Sequence, residues 1–205
     1  MSMNPRVCSL GELVAIYGEE RLDKYLRTFS CPLNSEVEDF LWNKALTSLK
    51  LSASQTYLVI DDETNLIVGY YTLVLKAYTV SGARLSSANR RLISRFAEED
   101  AAGNFHAAVY LIAQIGKNFA NGSQIEGDSL LGLALDEFRA VKARIGGKLV
   151  MVERESDRPK LFSFYTKNGF KSWTSRTNEK DGMVYDQMFA VLNGKPQTGG
   201  NDIGS

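Results

Sequence analysis

AAVYLIAQIGKN (Ala107–Asn118), then GDSLLGLALDEFRAVKARIG (Gly127–Gly146), then KLVMVE (Lys148–Glu153), then RPKLFSFYTKNGF (Arg158–Phe170): this run decides the fold. It reads as strand, glycine-bearing turn, long helix, second buried strand and short helix. Strands alternating with helices predict right-handed crossovers on a parallel or mixed sheet. Leu131, Ala134, Leu135, Phe138, Val141 and Ile145 keep the three-and-four spacing of one helical face. Asp128 and Ser129 place acceptors in the first turn, where backbone donors are free. Arg139, Lys142 and Arg144 fall toward the other end, and Gly146-Gly147 stops the helix.

The turn before that helix, Phe119 to Glu126, is polar and carries a glycine. Such a turn running into a helix N-terminus is an anion seat, because several N–H groups converge there. Read by itself it is first of all a plain strand-to-helix loop.

The ending Phe164-Tyr165-Thr166-Lys167-Asn168-Gly169-Phe170 resembles the F-Y-x-x-x-G-F ending of the GNAT superfamily of N-acetyltransferases. The order of strand, helix, strand and short helix ahead of it agrees, and the likeness covers roughly Gln55 to Leu192. A looser likeness joins FLWNKALTSLKLSASQTYLVID to the branch found in mobile-element and toxin–antitoxin settings. Of the family's phosphate signature, Q/R-x-x-G-x-G/A, the aligned residues Gly122 to Gly127 keep only the last glycine, and Glu126 adds a carboxylate.

The resemblance implies a GNAT-like α/β (α+β) fold, with a mixed, partly antiparallel central sheet flanked by helices. It implies acetyl-CoA as cofactor. Ile115, Gly116 and Lys117 match the strand edge that pairs with the pantetheine arm and polarises the thioester. Ser123, Gln124, Ile125, Glu126, Gly127, Asp128 and Ser129 match the diphosphate turn, and Arg158 is the further cofactor candidate. Tyr165 matches the tyrosine that protonates the departing sulfur; a hydroxyl with an intrinsic pKa near 10 is an acid at neutral pH. Without that context Tyr165 is a core tyrosine beside Phe164. Glu153, with Glu155 next, is the candidate base acting through water, and solvent is the alternative. Gly116, inside a strand, marks a bulge or a close approach of backbone.

Composition bounds the rest. Hydrophobic residues make up 44% of the 205-residue chain, ordinary for a globule with a core. Lys plus Arg equals Asp plus Glu at 24 each. Zero net charge gives no general pull toward nucleic acid or anionic membrane. Two cysteines, Cys8 and Cys31, make no disulfide framework and fit a reducing cytoplasm. Met1 to Leu10 has no apolar core of a signal peptide, and no run of about eighteen apolar residues spans a membrane. His106 is the single histidine and has no ligand-spaced companions, so no metal site is expected.

Residues 1 to about 30 read as a helical lead-in to a single domain over 1–192, with a disordered tail over 193–205. Ser35 reads as the cap of the next helix. Gln55–Asp61 and Leu66–Val80 form a hairpin, and Ser81–Gly103 a connection holding one helix. KSWTSR and MVYDQMFAVL make the last two strands. Arg84, Arg90, Arg91 and Arg95 cluster in the connection, as a solvated face or as a site for an anionic partner.

The expected function is an acyl-CoA-dependent N-acetyltransferase acting on a primary amine: a small amine, a protein amine or an aminoacyl-tRNA. A tRNA acceptor requires a basic surface, for which Arg84, Arg90, Arg91, Arg95 and Arg158 are the candidates. The alternative is a non-catalytic binding protein on the same scaffold, partnered by protein or nucleic acid. Pairing of two copies is left open.

Overall fold

A computed structural model describes residues 5–120, 125–179 and 182–193. Of the expected tail, 193–205, only Asn193 lies among these residues, and Ser123 and Gln124 lie outside them.

The chain opens on a strand rather than a helix. β1 (Pro5–Ser9) lies antiparallel on β2 (Gln55–Asp61). Ser9 then ends the strand and caps α1 (Leu10–Tyr17), in a capping box with Glu12. α2 (Glu19–Leu26) follows. α3 (Ser35–Asp39) is capped by Asn34, whose Oδ1 accepts from the amides of Glu36 and Val37; Ser35 is therefore its first helical residue. A π-helical turn (Phe40–Lys44) joins α3 to α4 (Ala45–Lys50).

β3 (Ile67–Ser81) pairs back on β2 and then along the whole of β5 (Asn104–Lys117). Between them, α5 (Ser87–Ile93) and the two-residue β4 (Glu98–Glu99) fill the connection. α6 (Gly127–Ile145) crosses to β6 (Leu149–Glu155), parallel to β5. α7 (Pro159–Lys167), β7 (Lys171–Thr177) and β8 (Val184–Val191) complete the chain. The sheet order is β1-β2-β3-β5-β6-β8-β7, with β4 on β5: mixed and mostly antiparallel.

Alternation along the strands assigns the faces. One face carries Tyr71, Leu73, Ile112, Val150 and Val152 against Leu130, Leu131, Ala134 and Phe138 of α6 and Tyr165 of α7. Val141 and Ile145, periodic with these, run past the sheet and stay exposed. The opposite face holds two separate apolar clusters. Leu58, Ile60 and Tyr70 pack under α1–α4; Tyr78, Val109, Met151, Trp173 and Phe189 pack with Ile93 of α5. Between those clusters lies a polar strip, with Thr56, Thr72 and Gln114 in register on β2, β3 and β5 and Glu153 and Gln187 on β6 and β8. The β7 edge is blunted from outside, where Arg84 Nη2 (2.8 Å) and Asn89 Nδ2 (3.3 Å) donate to the Ser175 and Ser172 carbonyls.

Candidate active site

β5 and β6 pair only through Tyr110–Val150, Leu111–Met151 and Ile112–Val152. Beyond that, β5 stays with β3 and β6 stays with β8, so the strands part into a slot. The cause is a bulge: Thr72 faces Gln114 while Leu73 faces Ile112, which leaves Ala113 as an extra residue in β5. From Ala113 to Lys117 the β5 edge toward the slot has no strand partner among the described residues.

Gly116 is not the bulge. A Cβ there falls closer to Val37 Cγ1 than the 3.0 Å that real contacts respect, and 3.4 Å from Phe29 Cζ. Its close approach is therefore to α3, which lies on the slot's lip; the Tyr70 hydroxyl donates to the Val37 carbonyl from the paired position (2.5 Å). Ile115 points to the other face and packs in the α6 core. Lys117 reaches over the Phe119 ring, 5.9 Å from its centre.

α6 starts at the mouth of the slot. Its N-cap, Glu126, is exposed and makes no side-chain bond to the helix. The first bonded amide is that of Leu130, to the Glu126 carbonyl, so the donors of Gly127, Asp128 and Ser129 have no intrahelical acceptor. Ile125 is core, not surface, and anchors the turn. The Asp128 carboxylate is turned to α7, accepting from Asn168 Nδ2 (3.0 Å) and Lys167 Nζ (2.5 Å); those bonds hold its pKa below the usual carboxylate range. Gly127 is pressed by Phe164, with a Cβ there 3.2 Å from its ring. Ser129 is exposed.

α7 ends in a left-handed turn at Gly169 (φ +85°), with the Phe170 amide bonded to the Tyr165 carbonyl (3.0 Å). That turn drives Phe170 into the core and fixes Tyr165 between it (5.5 Å) and Phe164 (5.1 Å). Tyr165 is 6% exposed, and its hydroxyl has no hydrogen-bond partner among the described residues. Burial pushes its pKa up to about 12.

Two expected residues are committed elsewhere. Glu153 accepts from Arg176 Nε (2.9 Å) and Nη2 (2.7 Å) and from Gln187 Nε2 (2.8 Å). Burial raises its pKa, but those bonds, with the charges of Lys76 and Arg176, outweigh it and bring the group below its ordinary value. A carboxylate so held is a poor proton acceptor. Arg158, at the start of α7, binds the Glu155 carboxylate and donates to the Leu33 carbonyl (2.8 Å), bridging to the loop before α3. It is a structural tie rather than a free phosphate ligand. Glu155, the second base candidate, is the other half of that pair.

Sequence reasoning missed Asn118. It is 4% exposed at the end of β5, and its side chain accepts from the amides of Ser30 and Ala120 (both 2.9 Å). It donates to the carbonyls of Ile67 (2.7 Å) and Thr28 (3.4 Å). One amide thus ties the start of the β5–α6 turn to the loop between α2 and α3. Gln114 was missed too: half-buried beside the bulge, it faces the polar strip with no hydrogen bond among the described residues. Strip and slot meet there.

The strand splay, the free edge and the uncapped helix start agree with the GNAT-like fold that the sequence led us to expect. No protein-family model and no curated protein sequence matches the chain. Solved structures do. A structure described as a bacterial toxin superposes with TM-score 0.64 at 18% identity, covering 93% of this chain and 92% of its own. AtaT complexed with acetyl-methionyl-tRNAfMet gives 0.60 at 15%, over 89% and 94%. AtaTR bound with AcCoA gives 0.55 at 14%, over 90% and 93%. The chain has the fold of these proteins over nearly its full length.

Proposed function

We propose that the protein is an N-acetyltransferase taking its acetyl group from acetyl-CoA, with a primary amine as acceptor. The observation that carries this reading is the coincidence of the β5–β6 slot with the uncapped start of α6. The residues present fit the cofactor. The edge from Ala113 to Lys117 offers backbone donors and acceptors to an extended, amide-bearing arm, as an added strand. The amides of Gly127, Asp128 and Ser129 offer a positive helix end to a diphosphate. Glu126 is exposed and Asp128 is bound by Lys167, so neither carboxylate needs to point at the anion.

The bound thioester supplies an activated acyl group, and the chain does the remaining work. Backbone N–H groups of the unpaired β5 edge at the Ala113 bulge would stabilise charge developing on the acyl oxygen. Tyr165, held protonated by its apolar surroundings, would donate its hydroxyl proton to the departing thiolate and recover one from solvent. The amine arrives from the polar strip on the opposite face, past Gln114. Glu153 orders that strip through Arg176 and Gln187, and solvent takes the amine's proton.

Aminoacyl-tRNA is the acceptor we favour. AtaT, of similar fold, is seen with an acetylated aminoacyl-tRNA. Arg84, Arg90, Arg91 and Arg95 have no carboxylate partner among the described residues; Arg90 and Arg95 lie over Phe105 and Phe96. Calorimetric titration with acetyl-CoA, then acetylation of charged tRNA beside free amino-acid esters and polyamines, tests the proposal. Micromolar cofactor binding and acetylation of the charged tRNA alone is the expected result. No binding at millimolar cofactor overturns it in favour of a non-catalytic binding protein.

A further inference from the structure

The hydroxyls and amides of the polar strip are paired with one another, except at Gln114. The Thr56 and Thr72 hydroxyls, both buried, share a hydrogen bond (2.8 Å). The Gln187 side-chain oxygen accepts from Thr174 (2.7 Å) and Tyr78 (3.2 Å), and its Nε2 donates to Glu153 (2.8 Å). Arg176 takes both Glu153 oxygens. The Gln114 side chain is half-buried and has no hydrogen bond among the described residues.

Its surroundings leave it one direction. Register puts Gln114 opposite Thr72, directly after the Ala113 bulge. Two residues on along the same face is Gly116, which Val37 and Phe29 cover. β6 parts from β5 after the Ile112–Val152 pair, and its next residue, Glu153, meets Gln187 on the strip face. Gln114 therefore stands between the seat of α3 and the Glu153–Gln187 pair, beside the free β5 edge and open toward the slot.

A half-buried amide with no partner costs stability that a ligand recovers on binding. A carboxamide presents one acceptor oxygen and two N–H donors in a single plane. An α-amino ester is its complement: an amine donates, and the ester carbonyl on the next carbon accepts. A plain alkylamine or polyamine has no carbonyl and leaves the Gln114 donors unpaired, which is the kind of mismatch that polar sites reject. We propose that Gln114 reads the α-amino ester of the acceptor, Oε1 accepting from the amine and Nε2 donating to the ester carbonyl. This rests on the acetyltransferase reading and narrows its acceptor. The bond to Oε1 also directs the amine lone pair away from Gln114, toward the acyl carbon at the strand edge.

The test measures acetylation of charged tRNA by the full chain, in wild type and in Gln114→Ala, Gln114→Leu and Gln114→Glu, with acetyl-CoA affinity and melting for each. Gln114→Leu keeps the volume and serves if the alanine variant unfolds. A tRNA is held mainly through its phosphates, so the loss at Gln114 falls on kcat rather than KM. Alanine and leucine should each lower kcat by about ten- to a hundredfold, a factor of ten for each hydrogen bond, with KM and acetyl-CoA affinity unchanged. Gln114→Glu keeps the acceptor oxygen and adds a charge that favours the ammonium form, so the acid limb of its kcat profile should move up by about a pH unit or more. Glu153, Arg176 and Lys76, the charged groups on this face, are the same in both proteins, so that displacement belongs to position 114. Wild-type kcat in Gln114→Leu, or coincident acid limbs in Gln114→Glu and wild type, overturns the proposal and leaves the acetyltransferase standing. A wild type that acetylates no charged tRNA overturns both together.

Discussion

Replacing Gly116 by alanine drives a methyl group into the seat of α3. Two terms oppose each other. Removing a glycine stiffens the unfolded chain and by itself favours folding by about 0.4–1 kcal/mol. The new Cβ overlaps Val37 Cγ1 and touches Phe29 Cζ at 3.4 Å, and overpacking of a tight core costs about 1–3 kcal/mol. Val37 cannot simply yield, because it is 7% exposed and its carbonyl is held by the Tyr70 hydroxyl. The net loss is about 1–2 kcal/mol, which lowers the Tm by roughly 3–6 °C for a chain of this size. Equilibrium urea unfolding measures it, as a shifted midpoint at unchanged slope. Val37→Ala alone costs about 1.5–2.5 kcal/mol for two buried methyl groups. In the double variant the alanine methyl occupies the space that Val37 Cγ1 vacates, so the second substitution adds nothing, a coupling of about 1–2 kcal/mol. Strict additivity, or a Gly116→Ala protein as stable as wild type, refutes the packing argument.

Four further outcomes follow. Tyr165→Phe should lower turnover roughly a hundredfold, leaving acetyl-CoA affinity and melting nearly intact, since the lost hydroxyl has no partner among the described residues; unchanged turnover removes Tyr165 from the chemistry. Because burial pushes Tyr165 up to about 12, kcat should hold level to roughly pH 10; an alkaline limb near pH 9 that vanishes in Tyr165→Phe contradicts this. The folded pKa of Glu153 lies below its unfolded value, so its contribution is present above about pH 4.3 and lost as pH falls; the urea midpoint of Glu153→Gln should drop less between pH 5 and pH 3, roughly the span of that titration, and an equal drop in both proteins argues against the Arg176 pair. Asn118→Ala, which strips four bonds from a buried position, should destabilise by about 2–4 kcal/mol, and a loss below about half of that range shows the bonds to be dispensable.

Periodicity made much of the fold legible. The strands around Val109 and Val150 are continuous apolar runs, α6 follows the three-and-four rule, and the Gly169 turn announces the end of α7. β1 was hidden because five residues, PRVCS, carry no alternation. The site was legible where backbone makes it, at the free β5 edge and the start of α6, since glycine and secondary-structure boundaries mark those places. It was opaque where distant side chains decide. Nothing local tells that Arg176 takes Glu153, that Leu33 occupies Arg158, or that Gly116 is small for the sake of Val37. Asn118 reads as an ordinary turn residue until its partners, far away in sequence, are seen.

That separation has a consequence for how the chain is made. Asn118 and the neighbouring Phe119 amide hold Thr28 and Ser30, which are synthesised some ninety residues earlier. Leu22, Leu26 and Phe29 rest on strands that also emerge later. A nascent chain therefore carries its first apolar helices undocked until β2 and β3 have left the ribosome, and its Thr28–Ser30 loop untied until the end of β5 follows. During that interval the exposed segment is a target for chaperones, and for any factor able to seize the protein before its slot has closed.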